Sequence, residues 1–310
     1  MKRPGILLYI VLLVALLLGG CAQPATPAAT PTPSPMVMTD GLGRTVTLAA
    51  PAQRVVSLAP SNTEILFAVG AGSQVVGRDN FSNYPPEALE LPGLGDFSGF
   101  STEQIVALNP DLVLLAEIHP PELVQSLEEA GLTVYYLKNP LTLEEMYSML
   151  ITVGELTGHK SDAEALVTQL SLRVAAVQQQ LVNIEERPTV FYEIDGTDPS
   201  KPWTTGSGTF IDTLLEMAKA ENVGRAMGSQ YGQMSIEALL EADPDFILLG
   251  DANFGVTPEQ VAARPGWGEL TAVKEGRVLP FNDDLASRPG PRLVDGLEEL
   301  ARILHAVPVP

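Results

Sequence analysis

Short apolar runs alternate with longer stretches of helical period along most of this chain. Val55 to Leu58, Leu112 to Leu115 and Val134 to Leu137 are mainly apolar runs bounded by helical patterns, as expected of strands buried on both faces of a parallel sheet. Thr189 to Tyr192, Phe246 to Leu249 and Val278 to Phe281 resume the alternation after position 187. Ser61 and Glu64 have the spacing of a capping box, which predicts a helix from there to about Val69, before Gly70. Between the two sets, Ser161 and Glu164 repeat that spacing, and Ala163, Leu166, Val167, Leu170, Val174, Val177, Leu181 and Ile184 form an apolar stripe. One amphipathic helix over 161–186 follows, about 39 Å long at 1.5 Å per residue. The pattern predicts an α/β fold with an N-terminal half over 37–158, a connecting segment over 159–186 and a C-terminal half over 187–310. The same stripe fits a surface helix within one domain; its place between two α/β halves favours a strut packed across both, which limits hinge bending.

An internal repeat supports two halves of like construction. Ser101-Thr102-Glu103-Gln104-Ile105 leads to Asn109-Pro110-Asp111 and the strand at 112, while Ser235-Ile236-Glu237-Ala238-Leu239 leads to Asp243-Pro244-Asp245 and the strand at 246. Each serine precedes its proline by nine residues. The unit reads as a serine-capped helix, a Pro-Asp turn and a buried strand, used once per half.

The N-terminus adds a location. Lys2 and Arg3, an apolar run from Ile6 to Leu18 and Leu18-Gly19-Gly20-Cys21 read as a lipoprotein export signal over 1–20, with Cys21 the acylated residue. The run is short for a bilayer span. Cys21 is the only cysteine, so no intramolecular disulfide forms, and lipidation gives the lone thiol a use. The segment 21–36, with prolines at 24, 27, 31, 33 and 35, cannot build a core and reads as a tether reaching roughly 40 Å from a membrane. The chain is therefore expected outside the cytoplasm, anchored by lipid to the cell membrane. Loss of the signal removes two positive charges and takes the formal charge from −20 to −22. That surface argues against nucleic acid and against electrostatic binding to anionic lipid.

Candidate chemistry points away from catalysis. His119, His159 and His305 have no metal-ligand spacing, so no metal site is expected, and no nucleophile elbow, phosphate loop or dinucleotide fingerprint occurs. His119 follows a strand end, where ligands of open α/β sheets gather, and from there it can reach a cleft or serve only as a loop histidine. Phe81, Phe97, Trp203 and Tyr231 lie in polar or glycine-rich loop sequence, where rings either face a ligand or plug the loop itself. Asp284 and Arg288 lie in a Gly/Pro-rich loop before a last helix that starts near Pro291. The pair either orients ligand hydrogen bonds or is a solvated ion pair, and Arg292 beside it reads as solvated. Glu103 and Glu237 hold equivalent places in the two repeats, where a first-turn carboxylate stabilises its helix by roughly 0.3–1 kcal/mol with no partner at all.

Arg54-Val55-Val56-Ser57-Leu58-Ala59-Pro60-Ser61-Asn62-Thr63-Glu64, Val76-Gly77-Arg78, Phe81-Ser82-Asn83-Tyr84-Pro85-Pro86, the two repeats and Ser287-Arg288-Pro289-Gly290-Pro291-Arg292 resemble the periplasmic cobalamin-binding protein family over about 52–305. The resemblance implies two Rossmann-like lobes joined by one long helix, the class III periplasmic-binding-protein architecture. It also implies a monomer that binds cobalamin or a related corrinoid between the lobes and delivers it to an ABC permease dimer with its ATPase subunits. Haem and ferric siderophores are alternative ligands on the same scaffold, and a scaffold or adhesion role is the reading from another class. No cofactor and no enzyme activity are implied. Carried over by motif, Phe81, Phe97, Trp203, Tyr231, Asp284 and Arg288 are ligand contacts, and Glu103 and Glu237 engage permease arginines, one knob per lobe. The family pattern has a tyrosine in place of Phe81 and a tryptophan in place of Phe97.

Overall fold

A computed structural model describes residues 35–308; the expected export signal, Cys21 and all but the last two residues of the expected tether lie outside them, and Met36, placed in that tether, already opens a strand, Met36–Thr39. Two sheets form from the predicted runs. The N-terminal sheet is parallel, in the order Val75–Arg78, Val55–Ser57, Leu112–Ala116, Val134–Leu137. The C-terminal sheet runs Tyr231–Gln233, Trp203–Thr205, Thr189–Asp195, Phe246–Leu249, Val278–Pro280; its last three strands are parallel and its first two antiparallel, with Glu221–Asn222 added beside Thr189. Central strands such as Leu112–Ala116 are buried along their whole length, as both faces are covered by helices. Among the described residues no helix is long and apolar enough to cross a membrane.

The repeat has a physical meaning at its turn. Ser101 Oγ accepts from the Gln104 amide and Ser235 Oγ from the Ala238 amide, so each serine caps its helix, Thr102–Ala107 and Ile236–Ala242. Asn109 and Asp243 both take left-handed backbone, at φ of 45° and 37°, a conformation that Asn and Asp tolerate best among non-glycine residues. The aspartate after each proline then binds the start of the neighbouring strand. Asp111 accepts from the Gln53 and Arg54 amides at 2.8 and 3.0 Å, and Asp245 from the Thr189 amide and hydroxyl at 2.8 and 2.9 Å. In both lobes, the Pro-Asp turn fixes where the adjacent strand begins.

The connecting helix spans Lys160–Leu181, about 33 Å at 1.5 Å per residue and shorter than the 161–186 expected. Its start needs no capping box from Ser161. The preceding helix, Leu143–Thr157, ends at Gly158 in left-handed conformation, and His159 leads directly into the next helix with no side-chain cap. A Cβ on Gly154 would lie 2.6 Å from Ala163 Cβ, so glycine lets these two helices pack closely. The far end stops at Leu181 because Lys219 Nζ takes the carbonyls of Val182 and Ile184 at 3.3 and 2.9 Å, turning the chain into the C-terminal lobe. Leu170, Val174, Val177 and Leu181 belong to one core with Ile65 and Leu150 on the N-terminal side and Leu214, Leu297 and Leu304 on the C-terminal side. The helix is thus a strut shared by both lobes. The helix after Ser57 also begins earlier than its sequence implies, with Pro60 in the first turn, Ala59 as cap and no side-chain cap; Ser61 and Glu64 do not form the expected box. The last helix, Leu293–His305, starts just past Pro291, after a short helix at Asp284–Ser287.

One buried charge cluster secures the loops above the C-terminal sheet. Arg264 donates to both Glu193 oxygens at 2.6 and 2.9 Å, and Asp251 accepts from the Gly196 amide at 3.0 Å. A Cβ on Gly196 would come within 2.2 Å of Arg264 Nη2 and 2.5 Å of Glu193 Oε1, so only glycine closes this corner. Burial pushes the Glu193 carboxyl up to about 7 despite Arg264, with the neighbouring Asp251 carboxylate adding to the rise. A folded-state value above the ordinary carboxyl range means that the protonated form is favoured by folding. That contribution is complete below about pH 4.5 and is lost as the pH rises through about 7. In urea titrations between these limits, the stability of wild type relative to Glu193→Gln should therefore fall as pH rises. A difference that stays flat would show that Glu193 is already ionised throughout.

Candidate functional site

The loops at the C-terminal ends of the parallel strands face each other across the gap between the lobes, the place where open α/β sheets gather ligands. On the N-terminal side, a buried polar knot presents the first ring. Asp79, fully buried, accepts from the Phe81 amide at 2.8 Å, the Ser82 amide at 3.1 Å and the Ser82 hydroxyl; Ser82 Oγ in turn lies 2.7 Å from Thr63 Oγ1, which donates to Ser57 Oγ. Burial raises the Asp79 carboxyl, with the Ser82 hydroxyl and the two amides pulling the other way. The knot holds Phe81 outward, half-exposed. Phe97 stands at the tip of the hairpin Gly95–Asp96/Gly99–Phe100 and stacks on Phe81, ring centroids 5.3 Å apart and planes 13° from parallel.

His119 does not open to this gap. It is buried beneath the aromatic pair, 6.2 Å from Phe97 and 5.4 Å edge-on to Phe100, with Nδ1 against the Ala116 backbone and Nε2 buried without a hydrogen-bond partner among the described residues. Burial lowers its imidazole below the ordinary value, so it stays neutral at neutral pH and acts as packing. Among the described residues no three metal-ligating side chains come together.

On the C-terminal side, Trp203 and Tyr231 sit on paired antiparallel strands, Trp203 opposite Gln233 and Tyr231 opposite Thr205, both residues about half-exposed. Tyr231 lines an inter-lobe hollow of about 370 Å³ with Leu141, Ser287 and Pro289. A second inter-lobe hollow of about 440 Å³ is lined by Asn80, Phe81 and Asn83 from one lobe and Asn253, Phe254, Asn282, Asp284 and Arg288 from the other. Trp203 lines neither. Phe254 has no signal in the sequence beyond its ring, and it was not among the residues expected.

The two lobes meet in one buried ion cluster. Glu64, 2 % exposed, accepts from Arg288 Nη1 at 2.9 Å and from Arg292 Nε at 2.8 Å, with Arg292 Nη2 on its other oxygen. Arg288 also reaches Asp284 at 2.9 Å and Asn83 Oδ1 at 2.8 Å, and the Arg292 guanidinium lies 4.1 Å over the Tyr84 ring. The expected Asp284–Arg288 pair therefore exists, as the outer half of a larger cluster. Arg292 is not solvated; its side chain is 11 % exposed because Glu64 and Tyr84 enclose it. Glu64 was hidden by its capping-box spacing, and an ion pair between residues 224 and 228 positions apart leaves no local pattern. Glu103 and Glu237, by contrast, are exposed in the first turns of equivalent helices, one per lobe, and neither makes a hydrogen bond or salt bridge among the described residues.

Comparison with known proteins fits this geometry. The periplasmic binding protein family model matches residues 55–285, and the chain belongs to that family. It is 34% identical to the uncharacterized ABC transporter substrate-binding lipoprotein YvrC of Bacillus subtilis over 98% of both chains. It is also 29% identical to a cobalamin-binding protein of Halobacterium salinarum over 87% of this chain and 74% of that one. The solved periplasmic haem-binding protein RhuT of Roseiflexus sp. RS-1 superposes with a TM-score of 0.74 at 29% identity, over 82% of this chain and 98% of that one. The chain is thus a substrate-binding protein of the ABC-transporter type, built as two α/β lobes joined by one long helix.

Removing one member of a buried ion cluster leaves the others uncompensated. Glu64→Ala should lower the unfolding free energy by roughly 3–5 kcal/mol, and Glu64→Gln by less, because an amide oxygen still accepts from an arginine. Urea unfolding of the three proteins measures this. Equal stability of Glu64→Ala and wild type would mean that Asp284 and solvent suffice for both arginines.

Proposed function

We propose that this protein captures cobalamin or a related corrinoid in the inter-lobe gap, outside the cytoplasm, and delivers it to an ABC permease while held to the membrane by lipid on Cys21. The observation that carries the ligand class is the lining of the 440 Å³ hollow: four asparagines and two phenylalanines. Asn83 uses its oxygen on Arg288, and Asn253 donates to Asn282 Oδ1. The Nδ2 groups of Asn83 and Asn282 and the Oδ1 of Asn253 then have no partner among the described residues. Amide donors and acceptors between aromatic faces suit a broad apolar ring carrying amide arms. A porphyrin asks for something else: unspent cations for its carboxylates and an axial His, Cys, Met or Tyr for its iron. Arg288, the one cation in this lining, is already neutralised by Glu64 and Asp284, and the lining holds no axial residue. The relatives named for cobalamin and for haem make this the distinction to test.

Titration of the signal-free protein with cobalamin, haem and a ferric siderophore, by absorbance and calorimetry, should give about one cobalamin per chain. Phe81→Ala should weaken that binding by roughly 1–3 kcal/mol through lost ring contact. Tight haem binding without cobalamin binding would overturn the corrinoid reading.

Glu103 and Glu237 support docking, because each is an exposed carboxylate at the same turn of the same unit in its lobe. Opposite charges on a two-fold symmetric permease would register one glutamate per half. In cells with matched protein amounts, Glu103→Lys with Glu237→Lys should abolish most uptake while leaving ligand affinity within about twofold. Normal uptake by the double variant would reduce both residues to helix-start carboxylates.

A further inference from the structure

We infer that Phe254 is the aromatic wall of the binding site on the C-terminal lobe, facing the Phe81–Phe97 stack and closing the ligand between two aromatic faces. This inference rests on the proposed reading of the gap as the ligand site. The first support is exposure: Phe254 is 89 % exposed, more than any other large apolar residue described, so the folded chain makes almost no use of its ring. A phenylalanine left in water forgoes the stabilisation that burial would give, and a ring so placed gains contact only when something else arrives.

The second support is that the turn carrying it is built rigid. It follows the strand Phe246–Leu249 as a single 3₁₀ turn, Gly250–Phe254, and ends at Gly255 with φ of 92°, which a side chain would resist. Within it, Asp251 is buried and anchored to the Gly196 amide at 3.0 Å, and Asn253 Nδ2 donates to Asn282 Oδ1 at 3.1 Å, tying the turn to the loop that carries Asp284 and Arg288. A turn pinned at two points by polar contacts, with its apolar residue left outside, is arranged for presentation.

The third support is position. Phe254 lines the 440 Å³ hollow together with Phe81 from the opposite lobe, and it also lines a smaller hollow of about 370 Å³ beside Ile194, Asp195 and Val256. Phe254 therefore borders both the inter-lobe hollow and the space beside it on the C-terminal lobe. Removing the ring takes away the one aromatic surface that the C-terminal lobe gives to the 440 Å³ hollow.

The test compares Phe254→Ala and Phe254→Trp with wild type by calorimetric titration, against whichever of cobalamin, haem and ferric siderophore the wild type binds, alongside urea midpoints and cell uptake. Phe254→Ala should lose affinity by about tenfold or more, Phe254→Trp should stay within about threefold, and both should unfold at the wild-type midpoint because the ring packs against little. Unchanged affinity of Phe254→Ala would overturn the inference while leaving the ligand reading intact. Unchanged affinity with reduced uptake would overturn it too, by assigning the ring to the permease face. If the wild type binds none of the three ligands, the reading of the gap falls and this inference falls with it.

Discussion

The carboxylate of Glu64 is the constraint on which the arrangement of the two lobes depends. It comes from the first helix of the N-terminal lobe, is removed from solvent, and is surrounded by two guanidinium groups from the opposite lobe. Desolvating such charges is expensive, and attraction repays the expense only where the geometry saturates their hydrogen bonds. Here Asp284, Asn83 and the Tyr84 ring complete that saturation, so the cluster is satisfied only when both lobes hold one relative position. Hydrophobic burial along the connecting helix brings the lobes together without specifying their angle. The ion cluster, being directional, supplies the specification.

On the proposed reading of the gap, the same cluster shapes what it can recognise. Arg288 is the cation nearest the amide-lined hollow, and its charge is already shared between two carboxylates. What it offers a ligand is therefore an oriented hydrogen-bonding edge with little net field. On the other wall, the buried knot of Asp79, Ser82, Thr63 and Ser57 plays the corresponding part for Phe81, fixing backbone direction so that an apolar ring faces outward. Both walls follow one plan, in which buried polar groups hold exposed candidate recognition groups still. On the proposed reading, that plan lets binding residues sit on loops and still be held in place.

How much of this was legible in the sequence depended on the range of the interactions. The strands and the strut were legible because burial on two faces or one leaves apolar runs and a helical stripe, both local patterns. The repeated Ser to Pro-Asp unit was legible as a unit, though the purpose of Asp111 and Asp245 was not, since each binds a strand more than fifty positions away. Glu64 and Arg292 were misread for the same reason: their nearest sequence neighbours offered a cap and a helix start, and the true partners lay at the other end of the chain. The extent of the connecting helix was misjudged because a lysine from a different element, Lys219, terminates it. Phe254 had no motif to mark it, and only its exposure in the folded chain distinguishes it from a core ring.

The strut between the lobes has a kinetic consequence. Gly154 seats one end of it firmly against the N-terminal lobe and Lys219 secures the other to the C-terminal lobe. On the proposed reading, a gap whose width the strut and the Glu64 cluster together hold nearly constant would let a ligand enter without waiting for a rare conformation, so capture would proceed close to its encounter rate. The converse is that relaxation of this chain contributes little to letting the ligand go. On the same reading, escape would be driven from outside, by mechanical work on the two lobes, and the importer's nucleotide cycle would be the clock for release.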